Sequence, residues 1–209
     1  MKVLLLNGSP HERGCTYTAL REAADALERE GVETEIFHIG AGAVRGCAGC
    51  GACRRAGENR CIFVDDRVNE AIAKAEQADG YFFGAPVHYA SIAGAASAFF
   101  DRMFYAGGSV MAYKPAAVVV SARRAGTTAA YDQLNKYIGI NNMLAVPCHY
   151  WNMVHGKTPE EVVQDEEGMQ CMRALGRNMA WMLSMLMVSR EHGVLPPAPE
   201  PRIHTNFIR

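Results

Sequence analysis

Apolar positions follow two rhythms along the 209-residue chain: short unbroken runs, and stretches with one apolar residue every third or fourth place. "KVLLLN" near the start is a continuous run ended by Gly8, Ser9 and Pro10, the pattern of a strand covered on both faces of a parallel sheet. After the loop "GSPHERGCTYT", Leu20, Ala23, Ala24 and Leu27 recur at helical spacing among charged neighbours, and Gly31 stops the helix. "ETEIFHI" alternates like a partly exposed edge strand. Past a cysteine-bearing loop, Val68, Ala71, Ile72 and Ala75 make the inner stripe of a short helix. "GYFFGAPVHY" starts as a strand and is expected to break at Gly84 and Pro86, with Phe99, Phe100, Met103 and Phe104 on the helix behind it. "AAVVVSA" predicts a fourth strand, "RRAGTT" a loop, Leu134 to Ile138 a helix, and "MLAVPC" a fifth strand.

Five strand-helix units without tandem repeats predict an α/β fold, an open doubly wound parallel sheet. The expected organisation is one domain over residues 1–190, with a cysteine-rich loop at 45–64 and an aromatic insertion at 148–157, followed by an extended proline-rich tail at 191–209. "TPEE" from Thr158 to Glu161 offers an N-cap, a first-turn proline and a capping-box glutamate. A long final helix is expected after it, with Met172, Leu175, Met179, Met182, Leu183 and Leu186 on one side as core or dimer interface.

Composition narrows the partners. Lysine and arginine number 21 against 22 acidic residues, a net charge of -1 with no long run of one sign, which argues against nucleic acid or a membrane surface. The N-terminus lacks the features of a signal peptide, and the longest apolar stretch, "MAWMLSMLMV", is half of the roughly 20 residues a membrane span needs. The expectation is a cytoplasmic protein whose seven cysteines, an odd number, form no disulfide framework.

Ligands of open α/β sheets bind outside the carboxyl ends of the strands, where strand order reverses. With a flavodoxin-like order 2-1-3-4-5, the loops after strands one, three and four converge there. The first, "GSPHERGCTYTAL", opens onto a helix N-terminus, where free N–H groups and the helix dipole favour a phosphate. Ser9, Thr16 and Thr18 add hydroxyls, and Gly8 and Gly14 let backbone approach closely; the alternative is an ordinary polar loop. No G-K-[ST] follows, so it is not a P-loop, and "GAGAVRG" has one residue too many for a dinucleotide fingerprint.

Three segments in order, "LLNGSP" with "GCTYTAL", "DGYFFGAPVHYASIAG" ending in "FFDRMF", and the cysteine loop ending in "CIFVDD", resemble the NAD(P)H-dependent FMN reductase family of the flavodoxin-like superfamily. The cysteine loop is similar to that of its iron-sulfur flavoprotein branch. The resemblance spans roughly residues 1–145. It implies FMN phosphate on Ser9, His11, Gly14, Cys15, Thr16, Tyr17 and Thr18, although the family often carries an arginine where this chain has His11. It implies the isoalloxazine ring along Pro86, Val87, His88 and Tyr89, and its pyrimidine edge under Ser121, Ala122, Arg123 and Gly126, with Arg123 or Arg124 countering the charge of the reduced ring. Trp151 and His155 have two readings, a stacking partner for the flavin or nicotinamide and ordinary packing.

The remaining chemistry is C-x2-C-x2-C-x7-C at Cys47, Cys50, Cys53 and Cys61. Three readings stay open: a [4Fe-4S] cluster, since ferredoxin runs begin with the same spacing; zinc, which more often uses two separated pairs; and free thiols. Members of the iron-sulfur branch usually have a shorter last gap, and many relatives keep fewer cysteines. A cluster here is expected beside strand one, on the same sheet edge as FMN. Cys15, Cys148 and Cys171 read as small apolar fillers. The resemblance implies an NAD(P)H-dependent oxidoreductase, homodimeric or homotetrameric, that passes electrons to a small acceptor: flavin, quinone, nitro compound or metal ion. No catalytic side chain is required. The alternatives are a non-enzymatic electron carrier for a protein partner and a zinc-stabilised flavin-binding module.

Overall fold

The computed structural model of the chain describes residues 1–198, 200–201, 203–205 and 207. Strand β1 (Lys2–Asn7) is the pivot of the sheet, with parallel β2 (Glu33–His38) on one side and parallel β3 (Gly80–His88) on the other. Next come β5 (Pro115–Ala122) and β6 (Leu144–Ala145), giving the order β2-β1-β3-β5-β6, while β4 (Ser91–Ile92) pairs with β3 and β7 (Met153–His155) with β5. The expected order 2-1-3-4-5 is this core path, with β5 as the fourth strand and the fifth divided between β6 and β7.

Both faces are covered, which explains the unbroken apolar runs. Leu4, Leu6, Tyr81 and Phe83 face one way, onto α3 (Val68–Glu76), α4 (Gly94–Gly107) and α5 (Thr127–Ile140). Val3, Leu5 and Phe82 face the other, onto α1 (Cys15–Arg29) and α7 (Glu166–Glu191); adjacent strand residues take opposite faces. At the edge, Lys2 bridges Glu33 and Glu35 of β2 at 3.3 and 2.9 Å, and such charges discourage further strand pairing.

Three sequence expectations change. β3 does not break at Gly84 and Pro86 but runs to His88. Pro86 lacks only a donor, and its carbonyl accepts from Ala93 N at 3.1 Å, while Gly84 makes room for Leu20 and Thr16 of α1. The insertion after "MLAVPC" interrupts the fifth strand rather than following it: β6 pairs Pro115 and Ala116, and β7 resumes on Val120 to Ala122. The "TPEE" signal starts only a short helix, α6 (Pro159–Val163), in which Thr158 accepts from Glu161 N; α7 has its own cap, Asp165.

Helix α7 buries Met172, Leu175, Met179 and Leu183 as expected, but leaves Trp181, Met185, Met187 and Val188 exposed. A helix of 26 residues is about 39 Å long, whereas an eight-residue strand spans about 26 Å. The last turns therefore overhang the sheet. Of the proline-rich tail, Pro199, Arg202, Asn206, Ile208 and Arg209 lie outside the described residues.

The contact of α7 with α1 is close enough to test. A Cβ on Gly176 would lie 2.5 Å from Ala23 O and 2.7 Å from Ala26 Cβ. Because a backbone atom cannot swing aside, Gly176→Ala is expected to cost about 1–3 kcal/mol. Gly139→Ala, with nothing within 4 Å of the new methyl, is expected to gain about 0.5 kcal/mol from helix propensity. Urea unfolding of the two variants should give opposite signs.

Candidate functional site

The loop after β1 is shaped by its own side chains. Buried Asn7 accepts from Ser9 N at 3.1 Å and donates to Glu12 O at 2.9 Å. Ser9 Oγ accepts from His11 N at 3.1 Å, and His38 Nε2 at the end of β2 lies 2.8 Å from Ser9 O. The turn delivers Gly14 to the N-cap of α1, where no side chain caps the helix. Its first internal bond is Thr18 N to Gly14 O at 3.0 Å, so the N–H groups of Cys15, Thr16 and Tyr17 have no partner within the helix. Thr18 Oγ1 also donates to Gly14 O at 3.3 Å.

An open cavity of about 520 Å³ lies over these donors, lined by residues 10–15 and by Lys157, Thr158 and Pro159. Two cations stand on it, Arg13 and Lys157, partly offset by Glu12. Arg13 lies 5.7 Å over the Tyr17 ring. Thr16 and Ser121 hydroxyls bond each other at 2.8 Å, both buried, and tie the start of α1 to the end of β5 beneath the cavity. Burial pushes the Cys15 thiol up, assisted by Glu161 and Glu160. It stays protonated with Gly156 O at 3.6 Å.

The second loop is a tight hairpin. His88 pairs with Ser91 across Tyr89 and Ala90, whose φ angles are +50° and +57°; two non-glycine residues in that region cost on the order of 1–3 kcal/mol each. Gln133 of α5 holds the hairpin by accepting from Ser91 Oγ at 2.6 Å and Ile92 N at 3.1 Å. Gly126 closes onto it: its φ is +98°, and a Cβ there would meet Ala90 Cα at 2.8 Å. The second and third loops thus form one wall. Ala122 lies at its base, and Arg123 and Arg124 are exposed on its rim beside the fully exposed Tyr89.

Trp151 is not a core residue. It is 51% exposed and rests on Tyr131 and Tyr150 at 5.9 Å centroid distances. His155 is exposed; its backbone N donates to Asp165 Oδ2 at 2.7 Å.

The cysteine loop does not stay beside β1 at the carboxyl edge. It descends over the outer side of α4, where Cys53 Sγ lies 3.8 Å from Tyr105 O and Cys61 Sγ accepts from Arg102 Nε at 3.3 Å. Arg102 is two turns along α4, about 12 Å from the helix start at Gly94. Its side chain, 1% exposed, pairs with Asp66 and donates to Arg45 O and Phe63 O, each at 3.2 Å. Burial works against its charge, but hydrogen bonds to Asp66 and Cys61 hold its pKa above the ordinary value. Asn69 of α3 completes the frame, accepting from Cys61 N at 2.8 Å and donating to Cys61 O and Phe63 O at 3.0 Å.

Cys47, Cys50, Cys53 and Cys61 all line one cavity of about 140 Å³ with Phe63, Arg102 and Tyr105. Among the described residues, the one trio of donor atoms within 4.8 Å of each other is elsewhere.

The family model of NADPH-dependent FMN reductases matches residues 1–158. The chain belongs to that family. An iron-sulfur flavoprotein of Methanocaldococcus jannaschii is 30% identical over 194 residues, 89% of this chain and 99% of the relative. One from Archaeoglobus fulgidus is 34% identical over 103 residues, 49% of this chain and 46% of its own. Among solved structures, RosB with a bound riboflavin-phosphate intermediate superposes with a TM-score of 0.70, at 17% identity, covering all of this chain and 94% of that one. An NAD(P)H:quinone oxidoreductase from Methanothermobacter marburgensis gives 0.61 at 18% identity, covering 86% and 96%. At those identities the likeness establishes the flavodoxin-like fold. Membership in the FMN reductase family carries the coarse activity, an FMN-dependent oxidoreductase.

The residues present fit the family's cofactor. An uncapped helix N-terminus, a buried serine and two cations suit a phosphate dianion, and Arg13 offers a guanidinium in place of the arginine that the family often carries at the position of His11. The sequence pointed to neither Arg13 nor Lys157; the latter arrives only because β7 runs back along β5. Arg102 and Asn69 were also missed. The signal was present in "FFDRMF", where a lone arginine interrupts an otherwise apolar helix face.

Arg102→Met is expected to cost about 3–5 kcal/mol, because it strands the Asp66 carboxylate in a buried place. Asp66→Asn keeps an acceptor for Val68 N, which Asp66 Oδ1 caps at 3.1 Å. The double variant should therefore recover a large part of the loss, and a urea double-mutant cycle measures it.

Proposed function

We propose that this FMN reductase relative takes electrons from NAD(P)H and passes them to a small acceptor such as a quinone or free flavin, with a [4Fe-4S] cluster on Cys47, Cys50, Cys53 and Cys61. The observation that carries the flavin part is the cavity over the uncapped start of α1, rimmed by Arg13 and Lys157 at the switch point between β1 and β3. The cluster reading is supported by four thiols lining one cavity beside a buried arginine, and by relatives named iron-sulfur flavoproteins.

When bound, FMN would supply the hydride and electron transfer. The chain positions it. Cys15, Thr16 and Tyr17 N–H groups would hold the phosphate with Ser9, and Arg13 and Lys157 would balance its charge. The wall from Pro86 to Tyr89, backed by Gly126, would flank the heterocycle and limit how it can turn. Ser121 and Ala122 form the floor. Arg123, exposed just after β5, would counter the negative charge of a reduced ring. Tyr89 and Trp151 offer exposed aromatic faces on which a planar nicotinamide or acceptor can stack. The reaction requires no protein nucleophile, and burial holds the Cys15 thiol above its ordinary pKa. With four cysteines as ligands, the cluster would exchange single electrons, and Arg102 at Cys61 would favour its reduced form. We further propose a homodimer or homotetramer, supported by the exposed apolar overhang of α7.

Phosphate recognition is expected to separate FMN from riboflavin. Arg13→Ala with Lys157→Ala should weaken FMN binding about tenfold or more, in line with a charge-assisted contact, and leave riboflavin affinity nearly unchanged in a fluorescence titration. Equal loss for both ligands would overturn the phosphate assignment.

Anaerobically purified, FMN-loaded protein is expected to oxidise NADPH or NADH when a quinone is added. Reduction by a ferredoxin with no turnover of any nicotinamide would instead make it a carrier. Iron and acid-labile sulfide are expected at about four each per chain, both lost in Cys61→Ala; iron-free protein with flavin bands would remove the cluster and leave the reductase intact.

A further inference from the structure

Two cysteines that read as apolar filler in the sequence meet a histidine behind the sheet. Cys148 and His149 lie in the insertion that splits the fifth strand, and Cys171 is in the second turn of α7. Their ligand atoms all lie within 4.8 Å of one another, and His149 Nε2 is 3.7 Å from Cys171 Sγ. Around a tetrahedral zinc ion, with Zn–S about 2.3 Å and Zn–N about 2.0–2.1 Å, a sulfur and a nitrogen ligand stand about 3.6 Å apart and two sulfurs about 3.8 Å. The His149–Cys171 separation has that spacing, and Cys148 Sγ lies within 4.8 Å of both.

We propose that Cys148, His149 and Cys171 bind one zinc-class divalent cation, at a site separate from the four-cysteine loop. Two thiolates and an imidazole are a donor set that selects zinc over magnesium or calcium. Glu167, one turn before Cys171 on α7, adds negative charge that favours a cation over a neutral thiol pair. The ligands are pre-arranged by contacts that need no metal. Asn178 of α7 donates to Pro147 O at 2.7 Å, and Cys148 Sγ accepts from Tyr150 N at 3.4 Å, a contact a thiolate keeps, while its S–H donation to Tyr150 O at 3.0 Å would be given up for the ion. Cys171 is buried, Cys148 half-buried and His149 exposed, so the fourth position opens towards solvent and takes water.

The ion would fasten the insertion to α7. That insertion leads directly into β7, which pairs with Val120 to Ala122 at the base of the third loop, and it carries Trp151. The site is therefore a brace for the outer wall of the flavin cavity, formed by residues far apart in sequence. A competing arrangement is a disulfide between Cys148 and Cys171, which would leave His149 without a role.

Metal analysis of the full chain tests it by difference, so that iron in the other loop does not interfere. Zinc is expected at one equivalent per chain in protein purified with Zn2+. It should be lost in Cys148→Ser and reduced at least tenfold in affinity in His149→Ala by chelator competition, with FMN and iron contents unchanged in both. Both substitutions are on the insertion rather than in the core, and FMN content reports that they fold. With Co2+ in place of Zn2+, a thiolate charge-transfer band should appear in the parent chain and disappear in Cys148→Ser. Equal zinc in parent and variants overturns the proposal. So does a parent chain lighter by two hydrogens with a Cys148–Cys171 cross-linked peptide and no zinc.

Discussion

Everything at the carboxyl edge follows from the place of β1. Parallel neighbours on both sides force the chain to wind outward from it in two directions, and right-handed crossovers then put α1 on one face and α3, α4 and α5 on the other. The loops leaving β1 and β3 diverge, and the gap between them cannot be filled by either. A cavity at the head of α1 is thus a result of connectivity before it is a matter of side-chain choice. The side chains add sign and shape: an asparagine and a serine tighten the turn, and cations from two distant segments stand above it.

A second constraint operates on the opposite face. Arg102 holds a full positive charge inside α4, and Asp66, two carbonyls and one thiol take up its donors. Isolated buried charges are costly, and a pair repays that cost only when its remaining donors are satisfied. Here the partners all come from residues 45–66, so satisfying the arginine determines where that loop lies. The cysteines are carried down the helix with it, away from the cavity over the start of α1 in the same chain.

Much of this was readable from the residues. The apolar runs at Val3–Leu6 and Ala116–Val120 and the stripes on α1, α3 and α4 depend on local period, which sequence reports directly. The first and second loops were legible because glycine, proline and hydroxyl residues cluster where strands end. What escaped depends on tertiary register. Pro86 looked like a strand end because the loss of one N–H is visible and the compensating carbonyl bond to Ala93 is not. The fifth strand looked continuous because β7, three residues long, is too short to show a period. Lys157, and the trio of Cys148, His149 and Cys171, meet their neighbours only after the chain has returned along β5.

The arginine under the cysteine loop has an implication for how the protein matures. A loop whose course is set by a guanidinium and an asparagine does not need metal to find its shape, in contrast to small zinc modules that are unfolded until the ion arrives. If the loop holds the proposed cluster, chain folding and iron delivery are uncoupled. Flavin-loaded molecules would then accumulate in a cell short of iron with their thiols already gathered, ready to be completed when supply returns.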